Sequence, residues 1–146
     1  MNIKTMLSAF LLVLTLTLHP LAVAQQVSEN ELKMGGARYL PDLVVNKVTM
    51  GDPTVGDFKV LVMNKGKGKA PECRLRLWIK DQSGKTYAMT ETDQPPLDPG
   101  QGVTVQVSAA KALSAYLKYE VTTDSKKSVS EVNENNNTMQ GNTGKV

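Results

Sequence analysis

Residues 73–80 read Cys-Arg-Leu-Arg-Leu-Trp-Ile-Lys. Cys73, Leu75, Leu77 and Ile79 share one parity, and Arg74, Arg76, Trp78 and Lys80 share the other. A period of two is what a strand with one buried face requires, and a helix cannot satisfy it. This stretch therefore commits the chain to a sheet with one covered face, and the rest must supply the cover.

The same chemistry recurs along the central part of the chain. Residues 43–50 are rich in valine and lie between Pro41-Asp42 and Gly51-Asp52-Pro53. Residues 58–64 alternate with Phe58, Val60 and Val62 on one side. Lys65-Gly66-Lys67-Gly68-Lys69-Ala70-Pro71 cannot be strand interior and reads as a loop. Asp81-Gln82-Ser83-Gly84 is a turn signal, and residues 85–90 read as the partner of the strand before it. After Asp98-Pro99-Gly100, Val103, Val105 and Val107 alternate with polar residues, as do Leu117, Tyr119 and Val121 further on. Residues 128–140 read as a last, very polar strand or strand-like edge. The composition of residues 109–116 favours a short helical crossover. About seven strands in about 100 residues, with turn signals roughly every 8–15 residues, is the pattern of an all-β protein: an antiparallel immunoglobulin-like β-sandwich. Its expected core is Val45, Val48, Phe58, Val60, Val62, Leu75, Leu77, Ile79, Val103, Val105, Val107, Leu117, Tyr119 and Val121.

The N-terminus has a different character. Lys4 precedes an apolar run over residues 6–18, Pro20 breaks it, and Ala22-Val23-Ala24 presents small residues where a signal peptidase cuts. We read residues 1–24 as a cleaved helical signal peptide, which implies a periplasmic or secreted protein. An uncleaved anchor is the alternative, but the run is shorter than the roughly 20 residues a membrane span needs. Residues 25–40 read as a flexible leader, 41–140 as the sandwich domain and 141–146 as a flexible tail. No later stretch is apolar enough to cross a bilayer as a helix.

Removal of that segment takes His19, the one histidine of the chain, with it. Ser-His-Asp and Cys-His catalysis and histidine-ligated zinc are then excluded. The single cysteine, Cys73, allows no intramolecular disulfide. In register with Leu75 it reads as a buried, inert residue, with an intermolecular disulfide as the alternative. The net charge of +3, or +2 without Lys4, is too small to argue for a nucleic-acid partner. No nucleophile elbow or phosphate loop is present, and the chain is read as no enzyme.

Several of these segments together resemble the CARDB family, the bacterial cell-adhesion-related domain. They are Pro41-Asp42-Leu43, the run from Phe58 to Gly66, Gly68-Lys69-Ala70-Pro71, and Leu97-Asp98-Pro99-Gly100-Gln101. Asp124 followed by Val129-Ser130-Glu131-Val132-Asn133-Glu134-Asn135-Asn136 completes the set and is its sharpest part. The resemblance spans about residues 40–139. It implies an immunoglobulin-like fold and a binding or scaffolding role without catalysis.

Three groups of side chains are candidate sites. Asp124, Glu131, Glu134 and Asn136 offer hard oxygen donors of the kind calcium takes. The spacing is not that of an EF-hand loop, and the same residues equally serve to satisfy turn N–H groups. Calcium is the one cofactor the sequence raises. Lys65, Lys67 and Lys69, with Lys126 and Lys127 from a loop at the same end of such a sandwich, could form a positive tip for an anionic partner. They could equally be solvated loop lysines. Trp78 is either an exposed anchor at a partner interface or a semi-core residue. The functional expectation is an exported module that contacts an envelope or extracellular protein or polysaccharide through end loops or an exposed sheet edge, where a strand could add. A calcium-dependent structural module is the alternative.

Overall fold

The structure, a computed structural model, describes residues 39–114 and 116–144. Seven strands are present: β1 Leu43–Met50, β2 Asp57–Asn64, β3 Cys73–Lys80, β4 Thr86–Gln94, β5 Gly102–Ser108, β6 Lys118–Thr122 and β7 Thr138–Asn142. They form a three-stranded sheet in the order β1-β2-β5 and a four-stranded sheet in the order β4-β3-β6-β7, antiparallel throughout. The all-β sandwich read from the alternation is the observed fold. The signal peptide and residues 25–38 of the leader lie outside the described residues.

The core follows from the pleat. β3 buries Cys73, Leu75, Leu77 and Ile79 and turns Arg74, Arg76, Trp78 and Lys80 outward. β2 answers with Phe58, Val60 and Val62, and β5 with Val105 and Val107. Phe58 meets the partly buried Tyr119 edge to face, with ring centroids 5.5 Å apart. In β1 the inward residues Val45 and Val48 have opposite parity, and a bulge reconciles them. The pairing with β2 slips between Val45 and Lys47, so Asn46 is the extra residue and the strand continues with its faces exchanged. Val48, Val103 and Tyr119 are only partly buried, at the margin of the core. β6 adds Val121, and Leu43, Ala70, Leu97, Leu113, Leu117 and Val129 complete it from strand ends and loops.

Three elements differ from the sequence reading. β4 runs on to Gln94, four residues past the expected 85–90, held by its pairing with β3 as far as Cys73↔Gln94. Among the described residues of the 109–116 segment there is no helix. The Ala109, Lys111 and Leu113 N–H groups donate instead to the carbonyls of Gly56, Val55 and Pro53, at 2.9, 3.2 and 2.8 Å. Ala110 and Tyr116 have φ of 51° and 65°, in the left-handed region that ends a right-handed helix. The final strand is also shorter and later than residues 128–140. Residues 123–137 are a long loop, and β7 runs on to Asn142.

Candidate functional site

The loop between β6 and β7 is organised by its acids. At its start the Asp124 backbone is left-handed, with φ of 43°, a conformation Asp tolerates better than most residues. The buried Asp124 carboxylate accepts the Ser128 N–H and Oγ–H through Oδ1 at 3.0 and 2.9 Å. Its Oδ2 accepts the Val129 N–H at 3.0 Å. The Ser125 N–H reaches the Arg74 carbonyl of β3 at 2.9 Å, and Thr123 Oγ1 donates to Gln94 Oε1 of β4 at 2.6 Å. Seven residues on, buried Glu131 crosses to the other sheet. Its Oε2 accepts the Leu43 N–H at the start of β1, and its Oε1 accepts Asn137 Nδ2–H at 2.7 Å. Glu134 Oε1 accepts the Glu131 N–H at 3.1 Å, closing the loop on itself.

One oxygen each from Asp124, Glu131 and Glu134 thereby come within 4.8 Å of one another. Burial, with the nearby Glu134 and Asp124 charges adding to it, pushes the Glu131 carboxyl up to about 7 against an ordinary value of 4.5. Such a cluster is eased by a proton or by a cation. The donor set suits a hard cation, because every side-chain donor is oxygen. Of the four residues picked from sequence, three are in the cluster. Asn136 stands beside it, donating Nδ2–H to Asp42 Oδ1 at 2.8 Å, and its own Oδ1 is likewise buried without a partner among the described residues, though the residue as a whole is less buried than Asn137. The residue missed is Asn137. It is 6% exposed, bonds Glu131 directly, and leaves its own Oδ1 buried without a partner among the described residues. The run Asn135-Asn136-Asn137 gave no periodicity by which to choose among the three. A cavity of about 260 Å³ opens beside the cluster, lined by Asp124, Glu134, Asn137, Arg76, Glu120 and Lys127.

The lysine loop lies at the same end. Asp42 touches both loops: its carbonyl accepts the Lys65 N–H at 2.8 Å while its side chain holds Asn136. The loop is tightly braced. The Lys67 and Gly68 N–H groups both donate to the Leu40 carbonyl at 3.1 Å. Buried Asn64 accepts the Gly66 N–H at 3.0 Å and donates to the Gly68 and Leu97 carbonyls at 2.8 and 3.1 Å. A Cβ at Gly68 would overlap the Tyr39 carbonyl, so the close approach requires glycine there. Lys65, Lys67 and Lys69 all project into solvent. Lys69 pairs with Asp98 at 3.1 Å and Lys126 with Glu91 at 3.0 Å, whereas Lys65, Lys67 and Lys127 have no ion pair among the described residues.

Trp78 sits on the outer face of the four-stranded sheet, half-buried. Lys80 Nζ lies 3.5 Å from its ring centroid, the Arg76 guanidinium lies 5.7 Å away, and its Nε1–H donates to Thr86 Oγ1 at 3.0 Å. Its cross-strand neighbour Met89 is exposed. Cys73 is buried, and desolvation pushes its thiol up to about 11, which leaves it little thiolate with which to react.

The CARDB family model matches residues 40–141. Among solved structures, the chain is similar to the CARDB domain of a Pyrococcus furiosus protein crystallised in complex with di-metal ions. That match has 23% identity and a TM-score of 0.55, and covers 73% of this chain and 94% of that one. The solution structure of the same Pyrococcus furiosus domain matches at 24% identity and a TM-score of 0.55, over 74% of this chain and 97% of that one. A domain of a Methanosarcina acetivorans protein, described as a cell surface protein, matches at 22% identity and a TM-score of 0.61, over 73% and 93%. At these identities the likeness to the solved structures is one of fold. No curated protein matches.

Proposed function

The chain belongs to the CARDB family, and from that premise we propose that it is an exported, non-catalytic binding module of the bacterial envelope. Its partner is an anionic polysaccharide or an acidic protein surface, met at the loop end of the sandwich. The observation that carries this reading is the braced glycine-lysine loop. Surface lysines are usually mobile and lose side-chain and backbone freedom on binding. Here the backbone under Lys65 and Lys67 is already fixed by hydrogen bonds to residues 40, 42 and 64. A preorganised pair of unpaired cations loses less freedom on contact with an anion, and the field at the tip steers it in.

The test is co-sedimentation of the protein with anionic envelope fractions at low and high salt. Retention is expected at low salt, with loss as salt rises. The Lys65→Ser, Lys67→Ser, Lys69→Ser triple variant is expected to bind roughly tenfold or more weakly, since three exposed charges leave a contact governed by Coulomb attraction. Equal retention of the triple variant removes the lysine loop as the contact. A second reading, a calcium-dependent structural module of the envelope, is favoured by the three carboxylates within 4.8 Å of one another. It requires a higher melting temperature in millimolar calcium than in chelator.

A further inference from the structure

We propose that Asp124, Glu131, Glu134 and the side-chain carbonyl of Asn137 form a site for one calcium ion that pins the β6–β7 loop to strand β1. This rests on the second reading above and gives it residues and a purpose. The carboxylate oxygens lie within 4.8 Å of one another. Two ligands on opposite sides of a calcium ion, each at about 2.3–2.6 Å, stand about that far apart. The spacing is therefore that of ligands around a common centre. Three carboxylates offer about twelve lone-pair positions, and the hydrogen bonds to them occupy only about half.

The acids alone would be an ordinary loop-closing cluster, and Asn137 is what distinguishes them. Its amide is anchored by Nδ2–H to Glu131 Oε1 at 2.7 Å, so Oδ1, on the same carbon, stays at the cluster. That oxygen is buried, in a residue 6% exposed, and has no donor among the described residues. Buried carbonyls are rarely left so, and a cation is a partner that a carbonyl oxygen accepts directly. Asp124, Glu134 and Asn137 also line the cavity of about 260 Å³, together with Glu120 and the cations Arg76 and Lys127. It gives an ion a way in and holds the waters that complete a shell of six to eight oxygens. Such an all-oxygen set disfavours zinc and copper, and donors drawn from flexible loop positions suit calcium better than the strict octahedron of magnesium. Glu131 reaches the Leu43 N–H of the opposite sheet, so fixing its carboxylate fixes the loop across the sandwich.

Calorimetric titration of the chelator-treated chain with calcium chloride tests the site, with melting temperature as a second readout. One ion per chain is expected, with a rise in melting temperature. Glu134→Gln and Asn137→Ala should each raise Kd roughly tenfold or more, at least the loss seen when outer-shell partners are removed. Asp93→Asn, an exposed acid on β4 paired with Arg74, should leave Kd unchanged. Glu134 is exposed, so its variant keeps the fold and the test stands even if Asn137→Ala does not fold. No binding at millimolar calcium overturns the site and the cation reading together. Binding that Glu134→Gln leaves intact moves the ion elsewhere and overturns the site alone. Binding weakened by Glu134→Gln but not by a folded Asn137→Ala overturns the carbonyl ligand. Magnesium chloride bound as tightly as calcium overturns the ion selection.

Discussion

At the scale of single residues, Glu131 decides how the loop end responds to solution conditions. Its carboxyl titrates at about 7 in the folded chain against 4.5 ordinarily, first because it is buried and then because Glu134 and Asp124 are close. A carboxyl raised in the folded state contributes most stability below its unfolded value, about pH 4.5. That contribution is lost as pH rises through about 7. In chelator, urea denaturation should therefore give a protein about 1 kcal/mol more stable at pH 5 than at pH 8. The full shift would give more, but part of it comes from the charge of exposed Glu134, which solvent screens. Glu131→Gln should flatten that slope. Asp52, Asp81 and Glu91 are lowered, by hydrogen bonds from Thr54, from Ser83 and from Lys126 respectively. Their contributions are present above the ordinary carboxylate range and fade only below it, so they do not compete in this window. A slope of opposite sign, or one that Glu131→Gln leaves unchanged, refutes the assignment. The sequence pointed to this residue through its Glu-Val-Asn-Glu-Asn-Asn run, but not to its partner. Leu43 lies 88 positions away and contributes a backbone N–H, which no side-chain pattern encodes.

Single elements were legible where one face is buried and the other wet. β3 falls where the alternation put it, β1 where its valines and flanking turn residues put it, and β2 begins one residue earlier. Legibility failed where tertiary contacts outweighed local preference. Residues 109–116 contain helix-favouring Ala, Leu and Lys, yet the Ala109, Lys111 and Leu113 N–H groups are taken by carbonyls of residues 53–56 and Leu113 is drawn into the core at 6% exposure. A helix there would forfeit those bonds and expose Leu113, and intrinsic propensity differences of a few tenths of a kcal/mol per residue cannot compete. Leu113→Ala should accordingly cost about 2–4 kcal/mol in urea denaturation, the range for truncating a buried leucine. A cost below about 0.5 kcal/mol would mean that the segment is a passive connector. The last strand was misplaced for a related reason. Residues 123–137 are polar because they bond one another and β1, and polarity alone does not separate an edge strand from a loop closed by side chains.

For the whole molecule, the question is whether two sheets of three and four strands behave as one body. Alternation showed that two apolar faces exist and which residues line them. It did not show strand order, because the edge positions of β4, β5 and β7 depend on pairings between segments distant in sequence. The packing itself argues for a single cooperative unit. Phe58 of one sheet meets Tyr119 of the other. The Ala70–Leu97 bridge, with N–H to carbonyl distances of 2.9 and 3.0 Å, joins the β2–β3 connection to the β4–β5 connection, each of which links one sheet to the other. Glu131 ties the β6–β7 loop to β1. Neither sheet can leave without exposing the other's inner face. Trp78, the one tryptophan, belongs to the four-stranded sheet, whereas far-ultraviolet circular dichroism reports on both. Urea unfolding followed by the two signals should therefore trace one coincident transition. Refolding should take milliseconds to seconds, because the β2–β5 and β3–β6 pairings that complete the two sheets each close a long loop before they are rewarded. A tryptophan transition displaced from the dichroism curve would show the four-stranded sheet melting apart from the three-stranded one, and would refute the single cooperative unit.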